Sequence, residues 1–285
     1  MSKIAYVTDL HLTQGSSRIG ALTRSLSRLN DLGVRNLVMG GDLIGLPGSM
    51  SIGGQKVWDI LKTRPVSSAE YSQMWDYSRQ LADAVIPQII DATPGIERYM
   101  ICGNADYVGY RYISGAYATD FNFLENETRP LSASTYNIFG TIGIPFGFIG
   151  DETKIKANNP WYKGIYEAPR SLSAAIVATH MPALGIMDRF RGENNGSQEV
   201  RSLLAKNTPL LHLAGHVHDA PEEQGSIFAW GNTENHFYVS VNPGGGDLHD
   251  QGIRMALIDI AGLHQWYARR NVGELGDLIG LMPSE

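Results

Sequence analysis

The sequence has one cysteine, Cys102, in 285 residues. An intrachain disulfide framework is therefore excluded. Long apolar runs are missing too. The most apolar stretch, Ile138 to Gly150, is 13 residues long and contains Pro145, too short to span a bilayer as a helix. The start, Met1-Ser-Lys-Ile-Ala5, enters a strand-like run without the apolar core of a secretory leader, so the expected location is the cytoplasm. Basic residues are in deficit: 23 Lys and Arg against 29 Asp and Glu give a net charge of −6. With no Lys/Arg cluster, non-specific nucleic-acid binding is disfavoured, because it relies on basic patches that displace counterions. A local phosphate site stays open. No fixed repeat, charge run or Ser/Pro linker divides the chain, and one domain over residues 1–285 is expected. What is present is ordinary globular material: 43% hydrophobic and 18% charged residues exclude a wholly disordered chain.

Short β-branched or apolar runs ending in turn residues predict strands at Lys3–Thr8, Asn36–Met39, Arg98–Cys102, Thr135–Ile144, Ala175–Thr179, Leu210–Ala214, Phe237–Val241 and Arg254–Ile260. Steps of three and four through Ile19, Leu22, Leu26, Leu29 and Leu32 predict a helix over Ser17–Leu32. Ser67 with Glu70 forms a capping-box pattern ahead of Tyr71, Met74, Leu81 and Val85. Ser197 is placed to cap a helix through Val200, Leu203 and Leu204, with Lys206 in its last turn and Pro209 beyond. Helices alternate with strands early and strands dominate late, which points to a mixed α/β protein with covered sheets. Segments 46–63 and 107–130 fit neither pattern, so they are expected to be functional loops, or cap or lid insertions.

Polar residues recur where the apolar runs end. Ile4–Val7 leads to Asp9-x-His11, Leu37–Met39 to Gly40-Gly41-Asp42, and Tyr99–Cys102 to Gly103-Asn104. Ile176–Thr179 leads to His180, and Leu211–Ala214 to Gly215-His216-x-His218. A sheet can gather such strand exits from distant positions. Imidazole nitrogen and carboxylate oxygen without thiolate suit Mn, Fe, Zn or Co. Seven such residues exceed the needs of one catalytic ion, so two divalent ions are expected, with Asp42 able to bridge them. Gly41, Gly103 and Gly215 each precede a candidate ligand and permit close backbone approach.

In this order, Asp9-x-His11, Gly41-Asp42, Gly103-Asn104, His180 and Gly215-His216-x-His218 resemble the calcineurin-like metallophosphoesterases. The resemblance implies a four-layer α-β-β-α sandwich of two mixed sheets. It implies that Asp9, His11, Asp42 and His218 hold a first metal, and Asp42, Asn104, His180 and His216 a second. One position departs from the family pattern: Ala105 stands where a histidine often follows the asparagine. Related proteins without that histidine are often phosphodiesterases. The expected activity is therefore hydrolysis of a small phosphate ester, a diester over a monoester, by a metal-bridging hydroxide. Alternatives are a phosphomonoesterase or nuclease of the same fold, or a weakly active protein-binding scaffold.

On the substrate side, Arg111 suits a phosphate oxygen. Asp106 and Tyr107 follow the asparagine motif, and His249 lies in a glycine-bearing loop after a late strand. The aromatics Tyr107, Tyr110, Tyr112, Tyr117, Phe121 and Phe123 either line a base-stacking pocket or form the core of an insertion. His212, inside an apolar run, reads as an ordinary buried histidine.

Overall fold

A computed structural model describes residues 3–44, 50–57, 59–60, 64, 66–106, 109–132, 134–141, 175–233, 236–245, 253–269 and 275–282. The strands of the first large sheet are β1 (Lys3–Val7), β2 (Val34–Met39), β3 (Glu97–Met100), β4 (Asn122–Phe123), β11 (Ala256–Asp259) and β12 (Ile279–Leu281). Those of the second are β5 (Glu127–Pro130), β6 (Asn137–Thr141), β7 (Ile176–Thr179), β8 (Leu211–Leu213), β9 (Phe228–Thr233) and β10 (His236–Val241). The strand orders are β12-β11-β1-β2-β3-β4 and β9-β10-β8-β7-β6-β5. Both sheets are mixed. β1, β2, β3 and β4 run parallel, as do β6, β7, β8 and β10, and antiparallel strands close the remaining edges.

Side-chain alternation along β1 shows how four layers arise. Ala5 and Val7 point outward onto Leu22 and Leu26 of α1 (Ser17–Ser27) and Leu81, Val85 and Ile89 of α2 (Ser68–Ala92). Ile4 and Tyr6 point inward and pack with Ile138, Ile176, Leu211 and Val239 of the facing sheet. On the far side, Phe139, Val177 and Tyr238 receive Val200, Leu203 and Leu204 of α4 (Gln198–Asn207). Helix, sheet, sheet and helix thus enclose three apolar layers, as the resemblance implies. Among the described residues no helix is long and apolar enough to cross a membrane.

The capping box forms as expected: Ser67 Oγ accepts from the Glu70 amide, and Glu70 accepts from the Ser67 amide. Ser197 likewise caps α4 by accepting from Val200 N–H. Two helices lie where none was expected, α3 (Tyr110–Ala116) and α6 (Ile260–Arg269), and a short α5 spans Ala220–Gln224. α1 ends at Ser27, short of the predicted Leu32. Leu29 stays buried in the following turn, and Gly33, at φ +74°, redirects the chain into β2. The expected strand Thr135–Ile144 is seen as β6, and residues 142–144 lie outside the described residues. Segment 107–130 supplies α3 and an edge strand to each sheet. Tyr110 and Phe121 enter the helix-side core, so these two aromatics are core and not a stacking pocket. The described part of segment 46–63 includes a small hairpin, Ser51–Ile52 with Gln55–Lys56.

Candidate metal centre

Beyond β1 and β2 the two chains stay paired. The Asp9 amide donates to Gly41 C=O (3.0 Å), the His11 amide to Asp42 C=O (2.8 Å) and the Leu12 amide to Leu43 C=O (2.9 Å). This sets Asp9, His11 and Asp42 side by side, and the exit of β3 adds Asn104. From the second sheet β7 delivers His180, and β8 delivers His216 and His218. The Gly215 amide ties these two exits by donating to His180 C=O (2.9 Å).

The backbone is strained where these side chains converge. Asp9 (φ +55°), His11 (+43°), Asp42 (+52°) and His216 (+64°) all sit in the left-handed region. Such residues cost of order 1–3 kcal/mol each and persist where the surrounding structure demands them. Gly103 is required for a different reason: a Cβ there would land on the Asp42 carboxylate and amide.

The polar tips form two adjoining groups. In the first, His218 Nε2 is 3.2 Å from Asp9 Oδ1 and from His11 Nε2, which is itself 3.5 Å from Asp42 Oδ2. In the second, His180 Nε2 is 3.4 Å from Asp42 Oδ2 and 3.0 Å from Asn104 Oδ1, with His216 Nδ1 2.8 Å from the same amide oxygen. Asp42 Oδ2 lies between histidines of both groups. Asp9 also belongs to both, at 3.9 Å from His180 Nε2.

These residues fit a pair of divalent ions. Nitrogen and oxygen donors about 2.1 Å from an ion lie about 3.0–3.4 Å from one another, close to the 2.8–3.5 Å separations within the two groups. In Asp9, Asp42 and His180 the other polar atom of the side chain is pinned. Asp9 Oδ2 accepts from Thr8 O–H (2.9 Å) and the His216 amide (2.8 Å), and Asp42 Oδ1 accepts from the Ala105 amide (2.6 Å). His180 Nδ1–H donates to Gly40 C=O (2.9 Å), so its Nε2 faces the other donors. The set is open on one side: His11 and His218 side chains are 22% and 19% exposed, against 0% for Asp9 and His180.

The electrostatics match. Burial alone would raise the Asp9 carboxyl, but the His218, His180 and His11 rings hold it well below the usual range. Asp42 is lowered in the same way, with His180 and His11 outweighing burial. Burial opposes charge on His180, yet Asp42 and Asp9 push it up to about 9. His216 goes the other way, to about 4, through burial and the charge of His180.

Of the residues expected to meet substrate, Asp106 and Arg111 are described. Asp106 is 1% exposed, and its oxygens accept from the Ile44 amide (2.9 Å) and the Gly103 amide (3.1 Å). It clamps the Asp42 and Asn104 loops, with both carboxylate oxygens engaged by backbone amides. Burial and the neighbouring Asp42 raise its carboxyl to about 7 despite those two amides. Arg111 is exposed on α3 and acts electrostatically on Glu125. His249 and Tyr107 lie outside the described residues. Sequence reasoning missed Thr8 and Asn242. Asn242 is fully buried, with its Nδ2 3.1–3.4 Å from the Met187, Gly215 and Val217 carbonyls beside His216. The polar end of a strand at Val241-Asn242 was the available signal.

Sandwich and rim together define a metal-binding hydrolase architecture. Residues 2–220 match the calcineurin-like phosphoesterase family, and the chain belongs to it. Membership implies hydrolysis of phosphate esters. No curated protein sequence matches the chain. One solved structure, 13% identical, superposes with a TM-score of 0.60 over 91% of this chain and 95% of its own, a likeness of fold. A dimetal phosphatase from Danio rerio is 11% identical, with a TM-score of 0.49 over 89% of this chain and 91% of that one. An archaeal phosphodiesterase is 11% identical, with a TM-score of 0.40 over 91% and 94%.

Proposed function

We propose that the chain is a two-metal phosphodiesterase acting on a small phosphate ester. Asp9, His11, Asp42 and His218 would hold one ion, and Asp42, Asn104, His180 and His216 the other. The observation that carries the reading is the convergence of these seven side chains from five strand exits at ligand spacing. When bound, two such ions polarise phosphoryl oxygens and provide Lewis acidity for hydrolysis. The ions are of the Mn, Fe, Zn or Co class, because every donor is nitrogen or oxygen.

The chain's own groups prepare this chemistry. The His216 and Ala105 amides orient the two carboxylates, and Gly40 C=O fixes the ring of His180. The Asp42 and Asp9 carboxylates favour a second proton, on His180 Nε2, in the metal-free protein, and that proton would leave if the nitrogen became a ligand. The partly exposed pair His11 and His218 leaves the approach open to a phosphate ester. Ala105 supports the diester preference: its methyl is buried and offers no proton to a leaving group, where a general acid contributes about 10²–10⁴-fold.

The test is hydrolysis of bis-para-nitrophenyl phosphate against para-nitrophenyl phosphate by the full chain in Mn²⁺. The diester is expected to show the larger kcat/KM. A much faster monoester reaction would overturn the preference, and a metal content near zero after loading would overturn the two-metal reading.

A further inference from the structure

His212 has no part in the site just described, yet its surroundings are built as carefully. It is fully buried at the centre of β8, on the face of the second sheet opposite the sheet interface. Its flanking neighbours Leu211 and Leu213 point into the layer between the sheets. Its ring reaches both adjacent parallel strands. His212 Nε2 lies 2.8 Å from Thr179 Oγ1 on β7, and His212 Nδ1 lies 2.9 Å from Ser240 Oγ on β10.

The directions of these hydrogen bonds follow from counting protons. Thr179 has one hydroxyl proton, and it is donated to Met181 C=O at 2.5 Å. Thr179 Oγ1 must therefore accept from His212 Nε2–H. His212 Nδ1 then carries the lone pair and accepts the Ser240 proton. The chain runs in one direction: Ser240 O–H to His212, His212 N–H to Thr179, Thr179 O–H to the Met181 carbonyl. Thr179 and Met181 are the two residues that flank His180. The last link closes a loop over the His180 backbone, while the Gly215 amide holds the His180 carbonyl.

We propose that Ser240, His212 and Thr179 form a buried, directional hydrogen-bond chain that positions His180, making His212 and Thr179 positioning residues for the second group of ligands. Its geometry stands on its own, and its importance for metal binding rests on the phosphoesterase reading above. Burial pushes the His212 imidazole down to about 3, so the ring stays neutral and the direction of the chain holds across the physiological range. The sequence carries the arrangement as a histidine in an apolar strand with a hydroxyl residue near the end of each neighbour. A plain core position would be filled by an aliphatic side chain with no partners to satisfy.

The experiment uses the full chain with Thr179→Val, which keeps the shape and removes the hydroxyl, and Thr179→Ser, which keeps the hydroxyl. In the metal-free protein the imidazole NMR resonances of His180 are expected to shift in the valine variant and to return to the parent positions in the serine variant. In a Zn²⁺ titration the second equivalent is expected to bind about 10–100-fold more weakly in the valine variant, the usual cost of losing a group that orients a ligand. The serine variant should follow the parent. If the valine variant leaves the His180 resonances unchanged, the proposal is overturned, whatever happens to its melting temperature. If the parent binds no metal but the His180 resonances still respond to valine and not to serine, the phosphoesterase reading fails and the positioning role stands.

Discussion

The first sheet brings both carboxylates, the asparagine and one histidine to the shared rim, whereas the second brings three imidazoles and no acid. Asp9, His11 and Asp42 all leave their strands through left-handed residues, while in the second sheet His216 alone does so. Each sheet also holds the other's ligands. The His216 amide grips Asp9, and the first sheet's Gly40 carbonyl grips His180. The acidic half is kept ionised by the basic half, since the rings of His218, His180 and His11 are what lower Asp9. A site divided in this way forms only when both sheets are packed. Its ligand set is therefore a property of the interface between them, not of either motif alone.

The contrast breaks most severely where one residue serves both halves. Asp42 Oδ2 lies 3.5 Å from His11 Nε2 and 3.4 Å from His180 Nε2. Asp42→Asn keeps the shape and removes the charge, so both metal equivalents and activity should be lost together. A fall in kcat/KM of at least about 10³-fold is expected, matching several kcal/mol of transition-state charge stabilisation. Metal analysis beside the kinetics checks it, and full activity would sink the shared-ligand arrangement. Gly103→Ala is the next largest. Its new Cβ would meet the Asp42 carboxylate and amide, displacing a ligand without removing it. A displacement near 1 Å costs about 10²-fold. Since Asp42 would be moved and not deleted, excess metal should recover part of the activity. Identical kinetics for parent and variant would show that the Asp42 loop yields at no cost.

The division between the sheets also sets how much was legible in the sequence. The seven candidate ligands could be read because each follows an apolar run at a glycine or turn, a signal local to one strand. The four-layer fold followed from the same runs once the resemblance was recognised. What could not be read depends on contacts between strands. Asp106 sits two residues from Asn104 and looked like a substrate contact, yet its oxygens are consumed by the Ile44 and Gly103 amides. The strand Phe228–Thr233 was missed because Gly231 interrupts its pattern. A side chain there would collide with the Tyr238 ring on the paired strand, so the residue that hid the strand is the one its packing requires. His212 read as an ordinary core histidine because the hydroxyls of Thr179 and Ser240 come from two other strands.

The mildest prediction separates the sheets by pH in the metal-free protein. Asp9 and Asp42 are lowered in the fold, so their stabilisation is present above the unfolded value of 3.8 and is lost only as pH falls below it. His212 and His216 are lowered from 6.5 to about 3 and about 4. Below pH 6.5 the unfolded chain takes up these protons first, so stability falls with pH well before the carboxylates titrate. His180, raised to about 9, works in the opposite sense: its contribution is complete below 6.5 and is lost as pH rises through 9. Asp106 on the first sheet's side, raised from 3.8 to about 7, gains stability as pH falls through that range and offsets one of the two imidazoles. Urea unfolding of the metal-free chain should therefore be most stable near neutrality and decline between pH 6.5 and 5, where the second sheet's two imidazoles outweigh Asp106. His212 accounts for at most about 1.4 kcal/mol per pH unit in that window. His212→Gln should flatten the decline by about that amount. A parent profile that stays level down to pH 4 would mean that the two imidazoles resist protons in the fold no more than Asp106 retains one, and the contrast between the sheets would lose its electrostatic basis.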